Sequence, residues 1–164
     1  MKLELVKYKC ARCTSMFESP EIASDSYGEF LLRSRSGAVV YLDALQDKTY
    51  EEVDQLLAAH KRTGSLSGLE RAQVLRRVYG EIACDKDADG NPFTLAAHPA
   101  CPVCGSQEMA SWEFKEPPEF ADVPLDFVAH NVWNSLSGGD KLKLLEGSLL
   151  SRASPVLSLA PKEM

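Results

Sequence analysis

Cys10-Ala-Arg-Cys13 and Cys101-Pro-Val-Cys104 are the two segments of sequence that decide the fold of this chain. Each segment holds two cysteines separated by two residues, and residues 14–100, 87 in all, lie between the segments. Together they supply the four thiolates of a tetrahedral metal site. A closed site with four sulfur ligands has no open coordination position, so the pattern predicts a metal that stabilises the fold and takes no part in a reaction.

The residues around the two pairs differ. Gly105 follows the second pair and can adopt the positive φ that such turns favour, and Pro102 restricts the backbone between its two cysteines. Thr14 stands at the equivalent position of the first pair, which predicts either strain or a slightly different geometry there. The cysteine pairs have two other interpretations. They could be buried thiols, because free cysteine packs as a small apolar residue. One pair could instead be a redox dithiol, which is expected at a strand-to-helix junction. Two pairs at identical spacing, each between predicted strands, favour the metal site.

Alternation of apolar and polar residues predicts strands beside both pairs. Residues 2–9 lead into the first pair, residues 14–18 return from it, and residues 109–115 follow the second pair. Residues 19–27 are polar and contain Pro20, which indicates a loop. Both cysteine pairs are therefore expected at the ends of strands.

The paired cysteines and their strands resemble the zinc-ribbon or rubredoxin-like class of metal-binding folds. The resemblance covers residues 2–18 and 100–115, and Cys-Pro-Val-Cys-Gly at 101–105 is similar to the second knuckle of rubredoxins. The long interval and the missing glycine after the first pair depart from rubredoxins, which favours zinc over iron. The resemblance implies that the ligands of one structural zinc ion are Cys10, Cys13, Cys101 and Cys104.

Between the two pairs, the sequence predicts a β-hairpin and two helices. Residues 29–33 and 38–42 are β-rich runs around a turn. Apolar residues at helical spacing then predict helices over residues 50–61 and from residue 68 to about residue 83, joined by a short link that contains Gly64. The residues expected to form the two capping boxes are Thr49 with Glu52 and Ser67 with Glu70.

After the second pair, a C-terminal helix pair is predicted within residues 124–150. Pro124 suits a first helical turn, and the apolar spacing that follows predicts a helix to Leu136. A shorter fourth helix follows the break at residues 137–140. Residues 151–164 contain two prolines and are predicted to be a flexible tail.

The sequence therefore predicts a single α+β domain over residues 1–150, which is long enough to bury a core. Its architecture is a split zinc ribbon with a small antiparallel sheet, a β-hairpin and helical insertion between the knuckles, and a C-terminal helix pair. The predicted parts are ribbon halves at residues 2–18 and 100–115, an insertion at residues 19–99 and helices at residues 124–150.

Two side chains near the knuckles have open roles. Cys84 is either a core thiol or a ligand, and His98 is a loop residue, a replacement ligand or a hydrogen-bond donor to a ligand sulfur. The acidic residues 85–90 match the first half of a calcium loop, but Ala96 stands where a bidentate glutamate is required. A solvated acidic turn is therefore predicted there.

Composition restricts the function further. The formal charge is −6, from 18 basic and 24 acidic residues, and this disfavours a general nucleic-acid binder. The N-terminal residues lack the apolar run of a secretory signal, and no stretch is apolar enough to cross a bilayer. Five cysteines, an odd number, fit a reducing compartment. These features predict a cytoplasmic chain without a membrane partner.

The absence of a recognisable catalytic constellation predicts that the protein is not an enzyme. We expect a small cytoplasmic adaptor or regulator that binds another protein. A nucleic-acid-associated zinc ribbon and a redox or metal-handling protein remain as alternatives, and the latter would hold a labile or coloured metal. The basic residues that a nucleic acid would contact are Arg71, Arg76 and Arg77, or Lys7, Lys9 and Arg12.

Overall fold

The computed structural model describes residues 1–95 and 97–151. Within these residues the chain forms two antiparallel sheets and four helices, which confirms the predicted mixture of α and β structure. In chain order the elements are β1 (Lys2–Cys10), β2 (Met16–Glu21), β3 (Glu29–Ser34), β4 (Val39–Asp43), α1 (Lys48–Ala59), α2 (Gly68–Ile82), β5 (Phe93–Thr94), β6 (Met109–Phe114), β7 (Phe120–Asp122), α3 (Asn131–Ser135) and α4 (Gly138–Ser151).

The first sheet brings the two distant ends of the insertion together. β1 is its central strand, with β2 paired antiparallel along one side and β6 along the other. β7 continues beside the N-terminal end of β1. Ala11 N also donates to Glu108 O at 2.9 Å, which joins the segments just beyond the paired strands. The two cysteine pairs therefore lie at the same end of one sheet.

The main core lies outside the first sheet. The second sheet has the order β4-β3-β5, and α1, α2, α3 and α4 supply the remaining apolar side chains. The largest fully buried core side chain is that of Trp133, whose indole N–H donates to Glu52 at 2.7 Å. Other buried members of this core are Leu32, Leu42, Val53, Leu57, Val74, Leu75, Val78, Tyr79, Phe93 and Leu145.

The helix starts were predicted with mixed success. Ser67 and Glu70 form the expected capping box at α2. The capping box predicted at Thr49 is wrong, because Asp47 is the N-cap of α1 and accepts from the amide of Tyr50 at 2.7 Å. The Glu52 carboxylate instead binds tertiary partners, which removes the second member of the predicted box.

The predicted helix from Pro124 to Leu136 is also wrong over most of its length, since only residues 131–135 are helical. Tyr41 N donates to Asp126 O and Val128 N donates to Tyr41 O, both at 2.9 Å. These hydrogen bonds hold the segment extended beside β4, so backbone pairing with a strand prevails over the helical spacing of its apolar residues.

The structure differs from the predicted elements in three smaller ways. β2 extends through Pro20 into the predicted loop, which is tolerated because β2 is an edge strand. The short strands β5 and β7 were not predicted. Ser151, predicted as the first residue of the tail, is the last residue of α4, and the rest of the predicted tail lies outside the described residues. None of the helices described is long and apolar enough to cross a bilayer.

Candidate metal centre

The four paired cysteines converge at one end of the first sheet. Their sulfur atoms all lie within 4.8 Å of one another. The Sγ atoms of Cys10 and Cys104 are 3.5 Å apart, and so are those of Cys13 and Cys101. Zinc–sulfur bonds of about 2.3 Å in a tetrahedron require sulfur–sulfur distances of about 3.8 Å. The four sulfurs therefore fit a single tetrahedral metal ion.

The two knuckles have matching backbone conformations. Gly105 has φ of 72° and its amide donates to Cys101 O at 2.8 Å. Thr14 has φ of 61° and its amide donates to Cys10 O at 3.1 Å. Positive φ is uncommon for a β-branched residue, so the first knuckle carries backbone strain that the second avoids with glycine. This agrees with the strain considered for Thr14 from the sequence.

Hydrogen bonds across each knuckle fix its position. Cys10 N donates to Ser15 O at 3.0 Å, and Cys101 N donates to Ser106 O at 2.8 Å. Cys10 and Cys101 are buried, with exposures of 0% and 2%, whereas their partners are partly exposed. The cluster is thus anchored from the inside of the fold.

Ser15 is the contact that sequence reasoning missed. Its hydroxyl lies 2.9 Å from the sulfur of Cys13 and 3.1 Å from that of Cys101. This hydrogen bonding lowers the pKa of the Cys13 thiol and lowers the pKa of Cys101 to about 6. The position of Ser15 immediately after the first knuckle turn is the sequence signal that could have indicated this contact. Ser15 therefore favours thiolate character within the cluster.

Cys104 behaves in the opposite way. The amide of Ser106 lowers its pKa, but burial and the other three thiols outweigh that effect and raise the pKa to about 12. Crowded sulfurs resist simultaneous ionisation because their negative charges repel. A divalent cation at the centre would remove that repulsion and replace the shared protons.

No family model, curated protein or solved structure matches this chain. The chemistry of its own residues must therefore indicate a function. Four thiol sulfurs are a donor set for zinc and for other thiophilic ions. Within the described residues, no other group of three or more histidine, cysteine or acidic side chains is placed to hold a metal ion.

Cys84 and His98 are not members of the sulfur cluster. Cys84 is buried in the main core. The His98 ring packs edge-on against Tyr8 at 5.9 Å between centroids, and its carbonyl accepts from Gln107 at 3.1 Å. The structure thus places both side chains in roles other than ligation within this cluster.

A second group of titratable side chains, which the sequence did not predict, surrounds His130. Its Nε2 lies 2.9 Å from Asp47 Oδ2 and 3.2 Å from the Tyr79 hydroxyl, and its Nδ1 lies 2.6 Å from Ala83 O. Tyr79 is also hydrogen-bonded to Cys84, and burial raises the pKa of that thiol to about 12. Both ring nitrogens are occupied and the thiol is not activated. This cluster joins α1, α2 and the segment before α3.

The acidic turn after α2 has structural partners. Asp85 accepts from the amides of Asn131 at 3.0 Å and Val132 at 2.9 Å, which caps α3. Asp87 accepts from the amide of Asn91 at 2.8 Å. These bonds use Asp85 and Asp87 within the fold, whereas residues 86 and 88–90 are exposed, as a solvated turn predicts.

The predicted basic residues lie on α2 and on β1 with the turn that follows it, and three of them have local partners. Arg71 pairs with Asp54 at 3.3 Å, and the Arg76 guanidinium lies over the Phe30 ring at 5.5 Å from its centroid. Lys7 on β1 is paired with Glu18 on β2 and with Glu113 on β6, its neighbours on the adjacent strands. Nearby acidic groups reduce the positive potential that a phosphate backbone would meet.

Proposed function

We propose that the four clustered cysteines bind one structural zinc ion, which makes residues 2–18 and 100–115 a split zinc ribbon. We further propose that the protein is a non-catalytic, cytoplasmic adaptor or regulator that binds another protein. The observation that carries the proposal is the convergence of four thiol sulfurs from two knuckles within 4.8 Å.

A structural role for the ion follows from where the apolar residues lie. The main core contains no residue of β1, β2 or β6. The smaller core lies between the two sheets, and of its three buried members, Leu3, Leu31 and Tyr41, only Leu3 belongs to the first sheet. A structural zinc site supplies on the order of 10 kcal/mol of binding free energy. This is enough to hold together a sheet that buries Leu3, Val6 and Tyr8 on its central strand but contributes only Leu3 to either core.

The chemistry of both titratable clusters supports a non-catalytic role. A tetrahedral site with four protein ligands leaves no position for a substrate or for an activated water. In the second cluster, the Cys84 thiol is held in its protonated form and His130 is bonded at both nitrogens. With the four thiolates bound to the ion, neither cluster presents a free activated nucleophile.

Exposed apolar side chains on and beside the first sheet support a protein partner. Val103 is 71% exposed, Met16 63% and Trp112 54%. Aromatic residues and methionine are enriched at protein interfaces. The net charge of −6 fits a protein partner better than a phosphate backbone.

Elemental analysis of protein purified without added metal tests the zinc site. We expect one zinc per chain, and we expect Cys101→Ser to lose it. Cys84→Ser is the matched control, because it removes a buried thiol outside the cluster, and it should keep its zinc. Zinc retained by Cys101→Ser would contradict the proposed site. Iron-type visible absorption would contradict zinc as its metal and would favour the redox alternative.

Affinity capture from native lysate, followed by reconstitution with the purified candidate, tests the adaptor function. We expect at least one protein that binds directly, with 1:1 or another fixed stoichiometry. Retention of nucleic acid at low salt, with no reconstituted protein complex, would count against the adaptor and in favour of the nucleic-acid alternative.

A further inference from the structure

A cleft of about 280 Å³ lies between the first sheet and the insertion. Tyr8, Trp112 and Phe114 line it from the sheet, and Phe30 and Leu95 line it from the insertion. The Trp112 and Phe114 rings are nearly perpendicular, with centroids 6.0 Å apart. We refer to the space enclosed by these five residues as the aromatic cleft. Its size and apolar walls suit one or two large apolar side chains.

Two of the side chains that line the aromatic cleft are also exposed. Trp112 is 54% exposed, and Arg76, which is exposed on α2, lies over the Phe30 ring. Tryptophan and arginine are among the side chains most often found at binding hot spots. These two residues therefore give the cleft the composition of a protein-binding surface.

The charged groups of the cleft differ in the partners that the fold already supplies to them. The buried Arg33 guanidinium pairs with Glu21 at 2.6 Å, and the Tyr8 hydroxyl donates to the same carboxylate at 2.6 Å. Glu29 accepts from the hydroxyls of Tyr41 and Ser26. Arg76 hydrogen-bonds to the neutral Tyr50 hydroxyl and has no carboxylate partner among the ion pairs of the described residues. It is the cleft group best placed to meet a carboxylate from outside.

The backbone beside the cleft is also open. β6 pairs with β1 on one side, and no strand of the described residues pairs with its other side. Lys115 N donates to Leu5 O at 3.2 Å, and bonded residues alternate along an antiparallel pair. Glu113 therefore faces β1 with its backbone groups, whereas Trp112 and Phe114 direct theirs to the open side.

The same two residues thus offer backbone hydrogen bonds and the walls of the cleft. A strand added along β6 would place the side chain opposite Trp112 on the cleft face. A residue two positions further along that strand points to the same face, on which Arg76 also lines the cleft. Main-chain pairing would provide affinity, and the cleft would select the side chains.

We infer that the open edge of β6 and the aromatic cleft bind an extended peptide segment of a partner protein. The segment carries a large apolar side chain that enters the cleft and a carboxylate two residues away that pairs with Arg76. This inference rests on the proposed protein-binding function and names its surface and the chemistry of the partner.

Selection from a random ten-residue peptide library against the zinc-loaded protein tests the inference. We expect enriched peptides in which phenylalanine, tyrosine or leucine stands two positions from aspartate or glutamate. In a synthetic copy of the best peptide, N-methylation of the alternate backbone amides that would face β6 removes the donors for strand pairing. This methylated peptide should bind at least tenfold more weakly. Absence of enrichment, or unchanged binding after N-methylation in both alternations, would overturn the inference.

Protein variants locate the site. Trp112→Ala should weaken the selected peptide at least tenfold, whereas Phe120→Ala, which removes an aromatic side chain 48% exposed on β7 and outside the cleft, should change binding less than twofold. Arg76→Glu should weaken the acidic peptide and be rescued by its lysine counterpart. Equal losses for Trp112→Ala and Phe120→Ala would place the peptide elsewhere. Zinc content and melting temperature confirm that each variant is folded.

The two proposals fail in different ways. If a reconstituted partner binds Trp112→Ala as tightly as the parent protein, the adaptor function stands and the cleft assignment is wrong. If library selection and reconstitution both yield no binding, both proposals are wrong.

Discussion

Gly80 is a residue at which the packing allows no side chain. It lies on the face of α2 that contacts β5, where an added Cβ would stand 2.3 Å from Phe93 O and 2.8 Å from Phe93 C. Both atoms belong to the backbone, so a side-chain rotation cannot relieve the clash. The close approach of helix and strand therefore depends on a hydrogen atom at this position.

We expect Gly80→Ala to lower the free energy of unfolding by about 1–3 kcal/mol, because overpacking forces α2 and β5 apart. Gly147→Ala in α4 is the matched control, since a Cβ there meets nothing within 4 Å. Alanine is the better helix former, so this control should stabilise by about 0.5–1 kcal/mol. Urea denaturation measures both, and a neutral Gly80→Ala would contradict the described packing.

Thr14 shows a different residue-scale compromise. It adopts the positive φ that glycine provides at Gly105, and the strain is tolerated because the flanking hydrogen bonds of the knuckle hold it. The sequence indicated this position because the second knuckle supplied an internal comparison. It did not indicate Ser15, whose hydroxyl lies between two sulfurs from different knuckles.

At the scale of elements, Asp87 connects the β3–β4 turn to the acidic turn after α2. The hydroxyls of Ser34 and Ser36 lower the pKa of its carboxyl well below the ordinary value, and the amides of Asn91 and Asp89 add to the effect. A carboxyl whose pKa is depressed in the folded state stabilises the protein above its unfolded pKa, about 3.9. That stabilisation is lost as the pH falls through the folded pKa.

We therefore expect Asp87→Asn to lower the melting temperature at pH 7, with a difference from the parent protein that narrows below pH 4. Asp25→Asn, at an exposed aspartate, is the control and should show a small difference at every pH. Loss of zinc in acid affects all three proteins alike. Differential scanning fluorimetry from pH 2 to 7 measures the effect, and a gap that widens in acid would show that the charge does not stabilise this junction.

The segment from Pro124 to His130 shows why helical spacing can mislead at this scale. Its apolar residues recur as in a helix, yet Tyr41 supplies both a donor and an acceptor to it from β4. The Phe127 ring packs edge-on against the Tyr41 ring, with centroids 5.2 Å apart. A partner remote in sequence thus satisfied the backbone of a segment whose local pattern favoured a helix.

At the scale of the whole molecule, the apolar residues form two unequal cores. The larger one joins the insertion to α3 and α4, and the smaller one lies between the first sheet and the second sheet. The ion pair between Glu21 on β2 and Arg33 on β3 links the two parts. The metal site lies at the end of the first sheet, which contributes only Leu3 to the buried residues of either core.

Removal of zinc with a chelator should therefore destabilise the first sheet more than the main core. We expect amide hydrogen exchange in β1, β2 and β6 to accelerate at least tenfold, while α1, α2 and β3 keep most of their protection because the main core is intact. Exchange monitored by mass spectrometry checks this, and readdition of zinc should restore the protection. Uniform acceleration throughout the chain would show that the metal supports the main core as well.

The sequence by itself determined the elements whose signals are local. The spacing within each cysteine pair, the strand alternation of β1 and the Ser67–Glu70 cap depend on neighbours along the chain, and all three appear where they were predicted. The paired cysteines, whose thiolates bind thiophilic metals, also indicated a metal site. Which metal the cluster holds and what the protein binds stay predictions.

Only the tertiary structure decided the contacts made between distant residues. The extended segment beside Tyr41, the His130 cluster, Ser15 between two sulfurs and the aromatic cleft each combine side chains from different elements. Hydrophobic burial is not directional, and a local pattern does not specify which surface will cover it. Packing therefore selected among partners that the sequence left equivalent.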